Sequence, residues 1–151
     1  GMLEPFEVRT GDREQLFQVN IASDIPFITT DPISLKRILT ELLNNACKYT
    51  FPGGKISFQV LYQPIKSTTD PSSITFIIRN EAEIPASDLP RIFEKFYRVS
   101  QGDYHHQSGT GLGLTIVQKI IDQLQGTIEV ESSEGWTTFT IYLPVKPASN
   151  G

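Results

Sequence analysis

Ser108-Gly109-Thr110-Gly111-Leu112-Gly113-Leu114 is the stretch on which the reading of this chain turns. Glycines alternate with small or apolar residues, and an apolar-periodic segment follows at once. Val117, Ile120, Ile121 and Leu124 stand at i, i+3, i+4 and i+7, which predicts one buried face of a helix. Gly126 comes just past the last of them, where a helix ends comfortably. A glycine loop running into a helix N-terminus suits an anion. The first helical N–H groups have no internal partner, and missing Cβ atoms let a phosphate approach the backbone. The same pattern also suits an ordinary surface turn, so the surrounding chain decides.

Upstream, Asp31-Pro32 predicts the start of a second helix, with Asp as its cap and Pro tolerated in the first turn. Leu35, Ile38, Leu39, Leu42, Leu43 and Ala46 form its apolar stripe. Glu41, Asn45 and Lys48 stand at i, i+4 and i+7 on a separate stripe. A carboxylate, an amide and an amine beside a core face suit phosphate and metal chemistry; a plain solvated face is the competing reading. Phe51-Pro52-Gly53-Gly54 ends the helix.

The remaining periodicity is that of strands. Leu16 to Ile21 reads as half-buried, and Phe27 to Thr29 as a short second strand. Lys55 to Tyr62 turns Ile56, Phe58, Val60 and Tyr62 to one side. Ile74, Phe76 and Ile78 alternate in a central strand, and Asn80 to Pro85 follows as a loop. Thr127 to Glu131 and Thr137 to Leu143 form a hairpin turned by Ser132-Ser133-Glu134-Gly135. Pro64 to Ser72 reads as an exposed polar loop and Pro144 onward as a tail. Val99 to Ser108 has no period, as expected of an active-site lid.

Composition narrows the class. The chain has 151 residues, 38% hydrophobic and 20% charged, enough for one domain with a proper core. A net charge of −4 argues against a nucleic-acid surface. No apolar run approaches spanning length, so no direct membrane contact is expected. Cys47 is the single cysteine, which excludes an internal disulfide and fits a reducing, cytoplasmic setting. Gly1 before Met2 reads as a tag remnant, leaving one domain at 2–151 with a core at about 16–144, cut from a longer protein.

Four segments together carry a resemblance. Asp31-Pro32 through Glu41-Leu42-Leu43-Asn44-Asn45-Ala46-Cys47-Lys48-Tyr49-Thr50 resembles the N box of the ATP-binding catalytic domain of bacterial-type sensor histidine kinases. Ile92-Phe93-Glu94-Lys95-Phe96-Tyr97-Arg98 resembles its F box, and Gly109 to Leu114 its second glycine box. Thr137-Thr138-Phe139 with Leu143-Pro144 resembles its closing strand. This family shares a superfamily with gyrase-type ATPases and the ninety-kilodalton heat-shock chaperone. The resemblance implies an α/β (α+β) two-layer sandwich of the Bergerat type, a mixed sheet with helices on one face and an ATP lid.

It also implies roles. Glu41 would act catalytically, orienting or polarising the attacking group or a magnesium-bound water. Asn45 would ligate Mg²⁺ through its amide oxygen, which is suitably hard. Lys48 and Arg98 would offset phosphate charge, and Tyr49 would pack near ribose or base. Gly109, Thr110, Gly111, Leu112, Gly113 and Leu114 would wrap the phosphates of ATP, with Thr137 and Ile84 at the adenine end. The implied partners are a histidine-bearing phosphoacceptor and dimerisation domain of the same protein, and a response regulator receiver domain.

The first glycine box departs from the family pattern. Arg79-Asn80-Glu81-Ala82-Glu83-Ile84 carries neither the expected aspartate nor its glycines. Counting back from Ile84 puts Arg79 at the aspartate position, and sliding the loop by one residue puts Asn80 there. Asn80 is preferred, because its amide can both accept from and donate to a base. Two further readings follow from the same residues: a degenerate module that binds partners, and a serine kinase of the anti-sigma-factor type. The F box favours the histidine-kinase branch. A gyrase-type role lacks a transducer domain and a basic surface. His105 and His106 read as exposed loop residues, Cys47 as a small buried apolar residue, and Phe93 and Phe96 as packing that anchors the lid.

Overall fold

The computed structural model describes residues 3, 8, 11, 14–25, 28–64, 72–94 and 113–147. Strand β1 (Leu16–Ile21) precedes the short β2 (Ile28–Thr29) and helix α1 (Pro32–Tyr49). Strands β3 (Lys55–Gln63) and β4 (Ser73–Asn80) follow, then a single 3₁₀ turn at Leu89–Arg91. Helix α2 (Gly113–Gln123), the hairpin β5 (Thr127–Ser133) and β6 (Trp136–Pro144), and β7 (Lys146–Pro147) complete the order. The main sheet runs β1-β3-β4-β6-β5. Only β1 and β3 pair in parallel within it, so the sheet is mixed as expected.

Period-two alternation sends one face of this sheet to the helices. Ile56, Phe58 and Val60 of β3, Ile74, Phe76 and Ile78 of β4, and Phe139, Ile141 and Leu143 of β6 are all buried there. They meet Ile38, Leu42, Leu43, Val117 and Ile121 from the two helices in one core. Helix α1 starts where Asp31-Pro32 predicts. Asp31 Oδ1 accepts from the N–H groups of Ile33 (3.0 Å) and Ser34 (3.2 Å), and the Ser34 hydroxyl donates to Oδ2 (3.0 Å). The Ser34 N–H, with the Ser34 hydroxyl and the Ile33 N–H adding to it, holds the Asp31 carboxyl below the usual carboxylate range. At the other end of α1, buried Gln15 donates through Nε2 to the carbonyls of Cys47 (3.1 Å) in the last turn of the helix and of Thr50 just beyond it.

Helix α2 ends differently from expectation. The left-handed residue is Gln125 (φ 63), not Gly126. Gly126 N–H donates to Ile121 O (2.9 Å) and Gln125 N–H to Asp122 O (3.0 Å), the paired bonds of a Schellman termination. Gly126 is needed for closeness: a Cβ there would strike the Tyr142 carbonyl and stand 2.5 Å from Leu143 Cδ2. The hairpin turn is tighter than expected as well. Glu134 and Gly135, both at positive φ, form a two-residue turn of type I′ between Ser133 and Trp136.

Three further expectations are corrected. Strand β1 lies at the sheet edge, and Leu16 and Ile21 are more than half exposed (56% and 52%). Ser72 is buried rather than in an exposed loop, because its hydroxyl donates to Val145 O (2.6 Å) and its carbonyl accepts from Val145 N–H. The segment after Pro144 is not a tail. Val145 joins the core and β7 pairs antiparallel with β2, so the fold extends past 144 to 147. Among the described residues no helix is long and apolar enough to cross a membrane.

Candidate functional site

Glu41, Asn45, Lys48 and Tyr49 line the partly buried flank of α1, beside its core stripe. Glu41 reaches across to α2. A Cβ built on Gly113 would lie 2.7 Å from Glu41 Oε2, so the carboxylate sits against the first residue of that helix. Its other oxygen, Oε1, meets Arg37 Nε at 3.1 Å. Arg37 is a site neighbour that the sequence reading missed. The signal was available, since Arg37 stands four residues before Glu41 and extends the same stripe. One oxygen of Glu41 therefore faces a guanidinium and the other a helix N-terminus, both favourable to negative charge.

A second group of expected residues gathers at the end of β4. Asn80 closes the row Ile74, Phe76, Ile78 on the helix side of the sheet and is 6% exposed. Arg79 points to the opposite face, where its guanidinium lies 4.7 Å above the Trp136 ring and Nε donates to Thr138 Oγ1 (3.3 Å). Of the two residues weighed for the missing aspartate, Asn80 is the one on the helix side. Thr137 pairs with Asn80 across the β4–β6 ladder and is buried.

The loop after Asn80 is tied down by a chain of hydrogen bonds. Ile84 N–H donates to Ser132 Oγ (2.7 Å), Ser132 Oγ lies 2.9 Å from Thr137 Oγ1, and the Thr137 hydroxyl donates to Ala82 O (2.7 Å). Thr137 spends its one proton on Ala82, so the Ser132 hydroxyl is the donor between them. Glu81 is drawn to β3, its Oε1 accepting from Lys55 N–H (3.2 Å), and Glu83 is exposed. Ser132 had no signal in the sequence, because its role depends on a cross-strand neighbour.

Phe93 and Leu114 pack against the core, and the Thr115 hydroxyl donates to Phe93 O (2.8 Å), joining the F-box segment to α2. Cys47 is buried within α1. Arg98, Gly109, Thr110, Gly111 and Leu112 lie outside the described residues, as do His105, His106 and Phe96.

The family model described as histidine kinase-, DNA gyrase B- and HSP90-like ATPase matches residues 30–147, from the start of α1 to the end of β7. This chain belongs to that ATPase family. ATP binding follows from the membership. The ATPase domain is similar to the sensor histidine kinase CusS of Escherichia coli O157:H7, with 34% identity over 140 residues, 92% of this chain and 27% of CusS. It is 32% identical to the adaptive-response sensory kinase SasA of Synechococcus elongatus, over 95% of this chain and 36% of SasA. The solved catalytic domain of histidine kinase ThkA superposes with a TM-score of 0.76 at 25% identity, covering 95% of this chain and 87% of that one. The ATPase domain is thus of the catalytic, ATP-binding type found in sensor histidine kinases. It spans only about a quarter to a third of the length of the whole relatives it matches.

Proposed function

We propose that this domain binds Mg·ATP on the helix side of the sheet and transfers the γ-phosphoryl group to a histidine. The acceptor would lie on a separate phosphoacceptor and dimerisation domain of the same protein, and a response regulator receiver domain would take the phosphoryl group next. This chain covers 26–36% of the relatives' length, so the remaining domains would lie elsewhere in the full protein, with this domain on the cytoplasmic side. The reading rests above all on the Glu41–Gly113 contact, where the N box and the second glycine box meet.

Asn45 fits a magnesium ligand. It lies one turn beyond Glu41, is partly buried, and its side chain makes no hydrogen bond among the described residues. An amide oxygen is the hard donor that Mg²⁺ accepts, and the ion would supply charge neutralisation at the phosphates. Lys48 would add positive charge there, while Glu41 orients the attacking imidazole. Its nitrogen bonds to the γ-phosphorus as the bond to the β–γ bridging oxygen breaks, and ADP leaves. Gly113 and Leu114 would face the phosphates together with Gly109, Thr110, Gly111, Leu112 and Arg98. Tyr49, Asn80, Ile84 and Thr137 would surround ribose and base.

Calorimetric titration with a non-hydrolysable ATP analogue and Mg²⁺ tests this, beside Asn45→Ala. Micromolar binding lost in the variant is the expected result. No binding at millimolar analogue, in domain shown to be folded, would overturn the reading and favour a partner-binding module.

A further inference from the structure

We infer that Asn80 sets the base selectivity of this site and relaxes it, so that 6-oxopurine nucleotides are taken as well as 6-aminopurine ones. The inference rests on the nucleotide-binding reading above and goes beyond it. Asn80 is more than nine-tenths buried, on the helix side of the last residue of β4. Its side-chain amide has no hydrogen-bond partner among the described residues. Its amide atoms are not among the fully buried side-chain polar atoms that lack a partner among the described residues, so the small part of Asn80 that stays accessible includes its amide.

The neighbours explain why the protein does not satisfy it. Ile56, its partner on β3, is apolar. Thr137, its partner on β6, gives its proton to Ala82 O and accepts from Ser132. Arg79 faces the other side of the sheet, engaged with Trp136 and Thr138. No neighbouring side chain on β3 or β6 competes for the Asn80 amide, which is reachable from outside the sheet.

A carboxylate here would only accept, matching the N6–H of adenine and repelling the O6 of hypoxanthine or guanine. An amide carries one acceptor and two donors, and a half-turn about Cβ–Cγ exchanges them. It can accept from a 6-amino group or donate to a 6-oxo group, so the discrimination an acidic residue imposes is lost. Inosine is the clean probe, because it changes the 6-position without adding the 2-amino group of guanine.

The test is calorimetric binding of ADP, IDP and GDP with Mg²⁺ to the folded chain and to Asn80→Asp. IDP is expected to bind within about tenfold of ADP, and Asn80→Asp to widen that ratio at least about tenfold, mainly by weakening IDP. A hundredfold or greater preference for ADP in the unaltered domain overturns the inference while leaving ATP binding intact. An unchanged ratio in the variant overturns it equally. Failure of every nucleotide to bind removes the nucleotide site itself, and the inference with it. Should Asn80→Asp not fold, Asn80→Ala replaces it: equal weakening of ADP and IDP supports the inference, and weakening of ADP alone refutes it.

Discussion

The Glu41 carboxylate rests on the α-carbon of Gly113, so close that a methyl group there would stand 2.7 Å from Oε2. Beside the apolar contacts that α1 and α2 share in the core, the start of α2 thus meets the polar flank of α1 at this carboxylate, placed by the absence of a side chain on Gly113. The atom in the way is the mobile end of Glu41, so substitution should displace the carboxylate without disturbing the core. Gly113→Ala is expected to leave the melting temperature nearly unchanged and to lower phosphotransfer about tenfold to a hundredfold, as misplaced catalytic groups do. Autophosphorylation of the full-length protein, alongside thermal melting, measures both. A large fall in stability would refute the placement.

The hydroxyl chain through Ser132 and Thr137 holds the 82–84 loop against the hairpin. Ser132→Ala leaves Ile84 N–H without its acceptor in a partly buried setting. The expected stability loss is about 1–2 kcal/mol in urea unfolding, with weaker nucleotide binding that titration would detect. Unchanged nucleotide affinity would mean that this loop does not shape the base end of the site.

The two residues that end α2 should respond in opposite directions. Gln125→Gly relieves a left-handed side-chain residue at φ 63 and is expected to stabilise by up to about 1 kcal/mol. Gly126→Ala pushes a methyl group into the Tyr142 carbonyl and the Leu143 side chain, and is expected to destabilise by about 1–3 kcal/mol. Chemical denaturation of both variants checks the pair. The opposite signs would show that Gly126 is the strained position.

Asp31 gives α1 a pH-dependent anchor. Its carboxyl titrates below the usual range in the folded state, led by the Ser34 N–H bond. A lowered folded value means stabilisation that is complete above the unfolded carboxylate pKa, about 3.9, and lost as pH falls through the folded value beneath it. Asp31→Ala should therefore melt below the unaltered domain at neutral pH, with the gap closing in strong acid. Parallel melting series between neutral and strongly acidic pH would show it. A constant gap would mean that the cap's charge contributes nothing.

Much of this architecture was readable from the chain. Leu35 to Ala46 marked the buried stripe of α1, and the alternation in β3, β4 and β6 marked the core face of the sheet. Local rules suffice where one face of an element is buried, because periodicity records that burial directly. They failed at Leu16 and Ile21, whose alternation is that of a strand but whose place at the sheet edge leaves them exposed. They failed again at Ser72 and Val145, whose mutual hydrogen bonds join positions far apart in sequence.

The sequence by itself determined the order of elements from β1 to β6, the cap at Asp31, the Glu41–Asn45–Lys48 stripe and the family resemblance, since each depends on residues within a few turns of one another. Only the tertiary structure decided that Glu41 rests on Gly113, that Asn80 faces the helices while Arg79 faces away, and that Ser132 closes the chain to Thr137 and Ala82. Those relationships depend on strand register and helix packing. A one-residue slip in β4 would exchange Arg79 for Asn80, and register is set by the whole sheet rather than by either residue.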